Sequence, residues 1–254
     1  MSSWMNFWRE LMPGRCIVCH HALHSGEHDI CYQCLSTLPF TRIDGKEENL
    51  LERLFWEQIP IERASALFTY IQGAQSHQIL RHLKYLSRPS VGISLGRLLA
   101  RRLIGTGFFD TISLIVPVPL SAERMKTRGY NQAERIATGI AEVTDLPVDT
   151  TCIVRIADNK TQTSLSRQER INNVKDIFHV KYPEQYEGKH LLLVDDVVTT
   201  GSTLIACGKA FGSNTRFSIL TLALAASFSE IPYRKIVVTD ETENGEGIII
   251  LKEQ

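Results

Sequence analysis

The chain has 254 residues, and its 28 Lys and Arg balance its 28 Asp and Glu, so the formal net charge at pH 7 is zero. A balanced charge excludes general electrostatic attraction to nucleic acid or to an anionic membrane, so such contacts would need a local basic patch. An apolar fraction of 43% without an apolar run of membrane-spanning length, and a first stretch unlike a signal peptide, predict a cytoplasmic globular protein with no membrane span.

The first forty residues form a block of their own. Trp4, Trp8 and Leu11 recur at helical spacing, which predicts a short helix whose apolar stripe packs on its own domain or touches a membrane or partner. Pro13 and Gly14 then break the pattern before a group of cysteines. We predict an N-terminal helix and ribbon over 1–40 and a linker over 41–63, in which 44–57 is an exposed amphipathic helix or simply part of the linker.

Two C-x2-C pairs, separated by eleven residues, follow the predicted helix: Cys16, Cys19, Cys31 and Cys34. Two such turns supply the four thiolate ligands of a structural Zn²⁺, which replaces the core that so short a segment cannot build. Two disulfides are disfavoured in a reducing compartment, and a redox C-x2-C usually occurs singly. A neighbouring histidine could substitute for one cysteine: His20, His21, His24 or His28. We expect a structural zinc site without catalysis.

Strands and helices alternate from Ala64 onward, and we predict a main domain over 64–229. The pattern predicts strands at 64–71, 112–120, 151–156, 190–196 and 216–225, and helices at 74–86, 91–104, 131–143 and 202–211. Such alternation indicates an α/β fold with a parallel sheet and helices on both faces. The tail, 230–254, ends in an apolar tetrapeptide that predicts an edge strand. Cys152 and Cys207 lie in apolar surroundings and are expected to be reduced core residues.

The stretch LLLVDDVVTTGST, residues 191–203, contains the most informative chemistry. An apolar strand leads directly into Asp195 and Asp196, and ligands of parallel sheets bind at the carboxyl ends of strands. Adjacent carboxylates suit the two hydroxyls of a ribose, and the following turn, with its backbone N–H groups and hydroxyls at a helix start, suits a phosphate. There is no Walker sequence. The alternative, a plain strand–turn–helix with Asp196 or Thr199 as N-cap, requires only one such residue.

This stretch resembles the phosphoribosyl pyrophosphate (PRPP) motif of type I phosphoribosyltransferases. The resemblance implies that Asp195 and Asp196 hold the ribose hydroxyls and are the catalytic acids if the protein is a transferase. It also implies that the 5′-phosphate is bound by Thr199, Thr200, Gly201, Ser202 and Thr203. In that family Mg²⁺ bridges the pyrophosphate and ribose oxygens.

Basic residues elsewhere complete the predicted site. Arg124, Lys126 and Arg128 follow the strand VPVPL and suit a pyrophosphate, although they could form a solvated basic face. Lys84, in a Lys84-Tyr85 step typical of the family, would close over the ligand, or is simply exposed. We expect Lys84, Arg124 and Arg128 among the PRPP ligands.

The polar segment 161–173 contains Arg167 and Arg170. It predicts a lid that excludes water from the reacting centre, with an ordinary polar loop as the alternative.

The order of these motifs, from the cysteine ribbon to the acidic pair, resembles the ComF family over roughly residues 16–226. The resemblance implies PRPP and Mg²⁺ binding, a role in DNA uptake and natural transformation, and single-stranded DNA or competence proteins as partners. Two alternatives remain. One is an active phosphoribosyltransferase with an unknown acceptor, for which we find no base-recognition element. The other is a single-stranded DNA-binding module built on the ribbon, helped by local patches around Arg97, Arg101, Arg102 and Lys126. No oligomeric state is predicted.

Overall fold

The computed structural model describes residues 14–86, 88–156 and 177–225. Its helices are α1 (Tyr32–Ser36), α2 (Leu50–Arg53), α3 (Gln75–Tyr85), α4 (Pro89–Leu103), α5 (Ala122–Arg128), α6 (Gln132–Thr144) and α7 (Ser202–Ala210). Its strands are β1 (Ile61–Tyr70), β2 (Leu114–Pro117), β3 (Ile153–Arg155), β4 (Phe178–Val180), β5 (His190–Val198) and β6 (Arg216–Ala225). The predicted Trp4 helix, the lid over 161–173 and the edge strand of the tail lie outside the described residues.

The main sheet has four parallel strands in the order β1-β6-β5-β2. Its central strand β5 pairs on both sides, so that Leu193 lies between Val116 of β2 and Ile219 of β6. All three side chains are fully buried, as expected of a parallel sheet covered on both faces. The α/β prediction is therefore confirmed.

Helices and loops cover the two faces of this sheet with separate cores. Leu192 and Val194 pack in the first core with α3, α4 and α6, while Leu191 and Leu193 pack in the second core with α7. This alternation along β5 is the period of two that a strand imposes. Beyond the acid pair the order is reversed, with Val197 packed on the first core and Val198 in the second.

The strand predicted at 151–156 is not part of the main sheet. It forms β3, which pairs antiparallel with β4, and the two strands pack in the second core. The sequence contained an apolar run but nothing that distinguished a main-sheet strand from a separate pair. In contrast, Cys152 and Cys207 are buried in the same core, and burial raises the pKa of the Cys152 thiol to about 12, as expected of a core cysteine.

The ribbon lies against the free edge of β1. The backbone N–H of Thr41 donates to the carbonyl of Leu67 at 3.0 Å, and that of Thr69 donates to Pro39 at 2.8 Å. Ribbon residues such as Ile17 belong to the first core. The ribbon thus covers an edge that would otherwise expose unpaired backbone groups.

The prediction of an exposed amphipathic helix over 44–57 is wrong. Helix α2 has four residues and begins with a capping box between Asn49 and Glu52, and Leu51 and Phe55 are fully buried. The Glu52 carboxylate also accepts from the N–H of Ala64 at 3.1 Å, which ties the segment to β1. Leu51 and Phe55, the apolar pair at i and i+4, pack in the second core, because this segment lies against the sheet and is not surrounded by solvent.

Within the described residues, none of the helices has the length and apolar character needed to cross a membrane.

Candidate functional site

A cleft of about 180 Å³ opens at the carboxyl ends of β2 and β5. Four cationic side chains line it: Lys84, Arg124, Arg128 and Arg155. Its oxygen-bearing side chains are those of Asp195, Asp196, Thr199 and Thr203, and it also contains Asn131 and Gln132. A small cleft with several cations and a few acceptor oxygens suits a polar anion that carries hydroxyl groups.

The two acids lie side by side in the cleft and share cationic neighbours. Lys84 of α3 forms an ion pair with Asp196 at 3.2 Å. The charges of Lys84 and Arg124 also act on Asp195 and oppose the rise in its pKa. A ligand in the cleft therefore meets two neighbouring carboxylates with cations beside them.

The Asp195 carboxyl is difficult to ionise. Burial, followed by the neighbouring charge of Asp196, raises its pKa to about 7, against the opposing influence of the Asp196 N–H and the charges of Lys84 and Arg124. That N–H donates to Asp195 Oδ1 at 2.8 Å. Hydrogen-bond donors on a ligand would stabilise the ionised form, so the acid pair favours groups such as hydroxyls.

The turn after β5 leads into α7 through a glycine. Gly201 has a φ of 72° and is the N-cap of α7, so the alternative in which Asp196 or Thr199 caps this helix is wrong. The hydroxyl of Thr200 donates to that of Ser202 at 3.0 Å, and Thr199 and Thr203 line the cleft. A helix N-terminus without a side-chain cap presents N–H groups to an incoming anion.

The turn rests on the segment that the sequence suggested was a linker. A Cβ atom on Gly201 would lie 2.7 Å from Cδ2 of Leu54 and 3.0 Å from Cε1 of Phe55. Only glycine combines this close approach with a positive φ. The segment around α2 therefore positions the turn from behind.

The basic side of the cleft is held by hydrogen bonds. Arg128 Nη1 donates to Gln132 Oε1 at 2.9 Å, and the Arg128 guanidinium lies 5.4 Å from the ring centroid of Tyr85. Asn131 accepts from the N–H of Ala133 as the N-cap of α6, and its amide donates to the carbonyl of Val118 at 3.0 Å. One amide thus joins the start of α6 to the loop that follows β2.

The four ribbon cysteines converge on one point. Their sulfur atoms all lie within 4.8 Å of one another, and the Sγ atoms of Cys19 and Cys31 are 3.6 Å apart. Four thiolates around a tetrahedral zinc with 2.3 Å bonds have sulfurs about 3.8 Å apart, so the cluster fits this ion. All four cysteines are free thiols and none forms a disulfide, which is what a metal site requires.

Backbone groups favour thiolate at one of these sulfurs. Burial alone would raise the pKa of the Cys16 thiol, but N–H groups of Cys19, Cys31 and Val18 lower it to about 7. Burial and the surrounding thiols raise the pKa of Cys34. Four thiolates in such proximity repel one another, and a bound divalent metal ion would offset their charge.

A larger groove of about 890 Å³ lies between the ribbon and α4. Arg15, Arg88 and Arg97 line it together with Glu27 and Asp29. This mixed charge gives the groove no preference for a polyanion, and it contains neither the acid pair nor the glycine turn.

The expected basic patch for nucleic acid is partly neutralised. Arg97 is ion-paired with Glu142, and Arg102 with Asp44. These pairings weaken the case for the DNA-binding module as the main function.

Comparison with known proteins shows the family to which the chain belongs. Residues 125–225 match the family model described as a phosphoribosyl transferase domain. The DNA utilization protein YhgH of Salmonella typhimurium is 30% identical over 207 residues, which cover 76% of this chain and 88% of that protein. Competence protein F of Haemophilus influenzae is 28% identical, over 75% of this chain and 87% of that protein. The chain belongs to the ComF family. Competence protein ComFC of Bacillus subtilis is similar over a shorter stretch, 35% identical over 37% of this chain and 36% of that protein.

The ComF-family fold brings most of the predicted site residues together. Lys84, Arg124, Arg128 and the acid pair line one cleft, although they come from α3, α5 and β5. Lys126 does not line the cleft. Thr200, Gly201 and Ser202 form the turn beside it.

Sequence reasoning did not place Arg155, Gln132 or Asn131 in the cleft. Gln132 is fully buried and holds Arg128, which nothing in a helical stretch indicates. Arg155 left a weak signal: it is a charged residue within an otherwise apolar strand sequence.

Proposed function

We propose that this ComF-family protein binds PRPP together with Mg²⁺ in the cleft at the end of β5. The observation that supports this most is a cleft of about 180 Å³ lined by the acid pair and by Thr199 and Thr203, which flank the glycine-capped N-terminus of α7. The acid pair suits vicinal hydroxyls and the helix N-terminus suits a phosphate. A 5-phosphoribosyl ligand carries both of these groups on one sugar.

The proposed ligand contacts follow from the acids, hydroxyls and cations that line the cleft. Asp195 and Asp196 accept hydrogen bonds from the ribose hydroxyls. The N–H groups and hydroxyls of 199–203 hold the 5′-phosphate, while Arg124 and Arg128 neutralise the pyrophosphate. Mg²⁺, when bound, would offset the pyrophosphate charge. Lys84 is ion-paired with Asp196 at 3.2 Å and lies beside the ribose position.

The proposal assigns the four-cysteine cluster a structural Zn²⁺. The convergence of the four sulfurs within 4.8 Å supports it. A thiolate–zinc site suits a reducing compartment, and we place the protein in the cytoplasm.

The proposed biological role is in DNA uptake and natural transformation, with single-stranded DNA or other competence proteins as partners. It is supported by the relatives named as DNA utilization and competence proteins. In a competent host, deletion of the gene should lower transformation by exogenous DNA, and restoring the wild-type gene should return it. Unchanged transformation in the deletion strain would contradict this role.

Calorimetry tests the binding proposal. The wild type should bind PRPP in the presence of Mg²⁺, and the Asp195→Asn/Asp196→Asn double variant should not. Asp145→Asn is a matched control, since Asp145 is an exposed residue at the end of α6 whose φ of 57° asparagine tolerates. If the wild type gives no binding heat at any PRPP concentration up to millimolar, the proposal fails. Pyrophosphate release in the presence of a nucleobase or another acceptor would show that binding leads to transfer.

A further inference from the structure

Helix α3 lies between the cysteine ribbon and the ligand cleft. At its first residue, Gln75 Oε1 accepts from the Thr37 hydroxyl of the ribbon at 3.1 Å. Farther along the helix, Ile79 and Leu83 belong to the same core as the ribbon residue Ile17, and all three are nearly or completely buried. The ribbon is therefore joined to α3 by a hydrogen bond and by a shared core.

The last turn of α3, residues 82–85, has its cleft contacts on charged and aromatic side chains. Lys84 forms the ion pair with Asp196 at 3.2 Å. The next residue, Tyr85, has the guanidinium of Arg128 over its ring at 5.4 Å from the centroid. Lys84 and Arg128 both line the cleft. A displacement of this turn would therefore move two parts of the cleft at once.

His82 is the residue of this turn that lies against the ribbon. Burial lowers the pKa of its imidazole, and the charge of His20 in the ribbon adds to this effect, while the backbone of Ile17 opposes it. Ile17 follows Cys16 directly and is 3% exposed. His82 thus packs beside the turn that directs Cys16 and Cys19 towards the other two cysteines, and it is two residues away from Lys84.

This arrangement connects the two sites through one short helical turn. A bound zinc ion would hold the Cys16–Cys19 turn in one geometry. Packed side chains transmit displacements, so a fixed ribbon keeps the last turn of α3, and Lys84 with it, beside the acid pair. A ligand in the cleft would hold the same turn from the other side. Two binding events that favour one position of a shared element strengthen each other by the same factor.

We propose that α3 couples the zinc site of the ribbon to the ligand cleft, with His82 as the positioning residue that holds Lys84 and Tyr85 in place. PRPP in the cleft then raises the zinc affinity of the ribbon, and bound zinc raises the PRPP affinity of the cleft. This inference rests on the proposed function, because it takes PRPP as the ligand and zinc as the metal.

The test measures zinc release from the full-length protein to a zinc-selective chelator in the presence of Mg²⁺, with and without saturating PRPP. In the wild type, PRPP should raise the chelator concentration that removes half of the zinc by about fivefold or more. His82→Leu should keep its zinc and show an effect of PRPP below twofold. His77→Leu is the matched control and should behave like the wild type. It makes the same substitution in the first turn of α3, where His77 accepts from the N–H of Gly73 at 3.2 Å.

The outcomes separate this inference from the proposed function. If PRPP binds the wild type in calorimetry but changes zinc retention less than twofold, or changes it equally in His82→Leu and His77→Leu, the coupling is overturned and PRPP binding stands. Wild-type protein without zinc overturns the coupling as well. If the wild type does not bind PRPP, both proposals fall. Circular dichroism establishes that the variants fold. Should His82→Leu fail to fold, an undiminished effect of PRPP in folded Lys84→Met overturns the inference instead.

Discussion

Lys84 and Asp196 form an ion pair at 3.2 Å across the cleft, with side-chain exposures of only 20% and 10%. The pair links α3, on the first face of the sheet, to the end of the central strand. It joins two residues that are 112 positions apart in the chain, and it places a counter-charge beside the acid pair. Water screens such a poorly exposed pair far less than it screens a surface pair.

Removing the lysine should therefore destabilise the fold. Lys84→Met keeps most of the side-chain volume but leaves Asp196 without its cation, and we expect a loss of about 1–3 kcal/mol in the free energy of unfolding. Lys84→Arg, which retains the charge, should lose less. Urea denaturation measures both, and equal stability of Lys84→Met and the wild type would show that the ion pair contributes nothing.

The raised pKa of Asp195 predicts a pH dependence of stability. Its folded-state pKa of about 7 lies above the value of 3.8 for a free carboxyl, so the folded state retains a proton that the unfolded state has lost. The resulting stabilisation is complete below pH 4 and disappears as the pH rises to 7. Asp195→Asn removes this dependence, so its advantage in melting temperature over the wild type should grow between pH 5 and pH 7.5, reaching roughly 2–6 °C.

The control for this pH effect is Asp145→Asn, which replaces an exposed carboxylate. Its melting temperature should follow that of the wild type across the same range. If the difference between Asp195→Asn and the wild type stays constant with pH, the Asp195 carboxyl titrates normally.

The close packing of Leu54 and Phe55 against Gly201 predicts that adding a methyl group at Gly201 lowers the stability of the fold. Gly201→Ala meets both a positive φ and the side chains of Leu54 and Phe55, and it should cost about 2–4 kcal/mol of stability. Gly212→Ala is the matched control, because Gly212 has a φ of 89° but nothing within 4 Å of the added carbon. It should cost only the backbone strain, about 1–2 kcal/mol. Equal costs in urea denaturation would mean that the segment around α2 does not support the turn.

The cysteine cluster predicts one bound zinc per chain. Protein produced in zinc-containing medium should carry about one equivalent by elemental analysis, and Cys31→Ser should lose it together with a large part of the thermal stability. Cys152→Ser alters a buried cysteine outside the cluster and should retain the metal. Metal-free wild-type protein with an unchanged melting temperature would contradict a structural zinc.

Much of this arrangement follows from local patterns in the sequence. The run Leu191–Val194 is apolar without alternation, so both its burial and its central place in a parallel sheet could be predicted. The position of the acid pair near the carboxyl end of the strand followed from the same pattern, although β5 continues to Val198. The cysteine spacing likewise predicted convergence on one point.

The features that escaped prediction depend on contacts between distant parts of the chain. Leu54 and Phe55 form an apolar pattern that fits either an exposed helix or a buried turn, and only their packing against Gly201 distinguishes the two. Arg155 belongs to a strand whose partner, β4, lies beyond a long polar segment. Its place in the cleft depends on which core that strand pair joins, and a period-two pattern of three residues does not contain that information.

A crystal structure of the protein soaked with PRPP and Mg²⁺ tests the central claim most directly. We predict electron density for the ribose hydroxyls against Asp195 and Asp196, with the 5′-phosphate in the turn 199–203. PRPP bound in the groove between the ribbon and α4, or a cleft that remains empty at saturating ligand, would contradict the account.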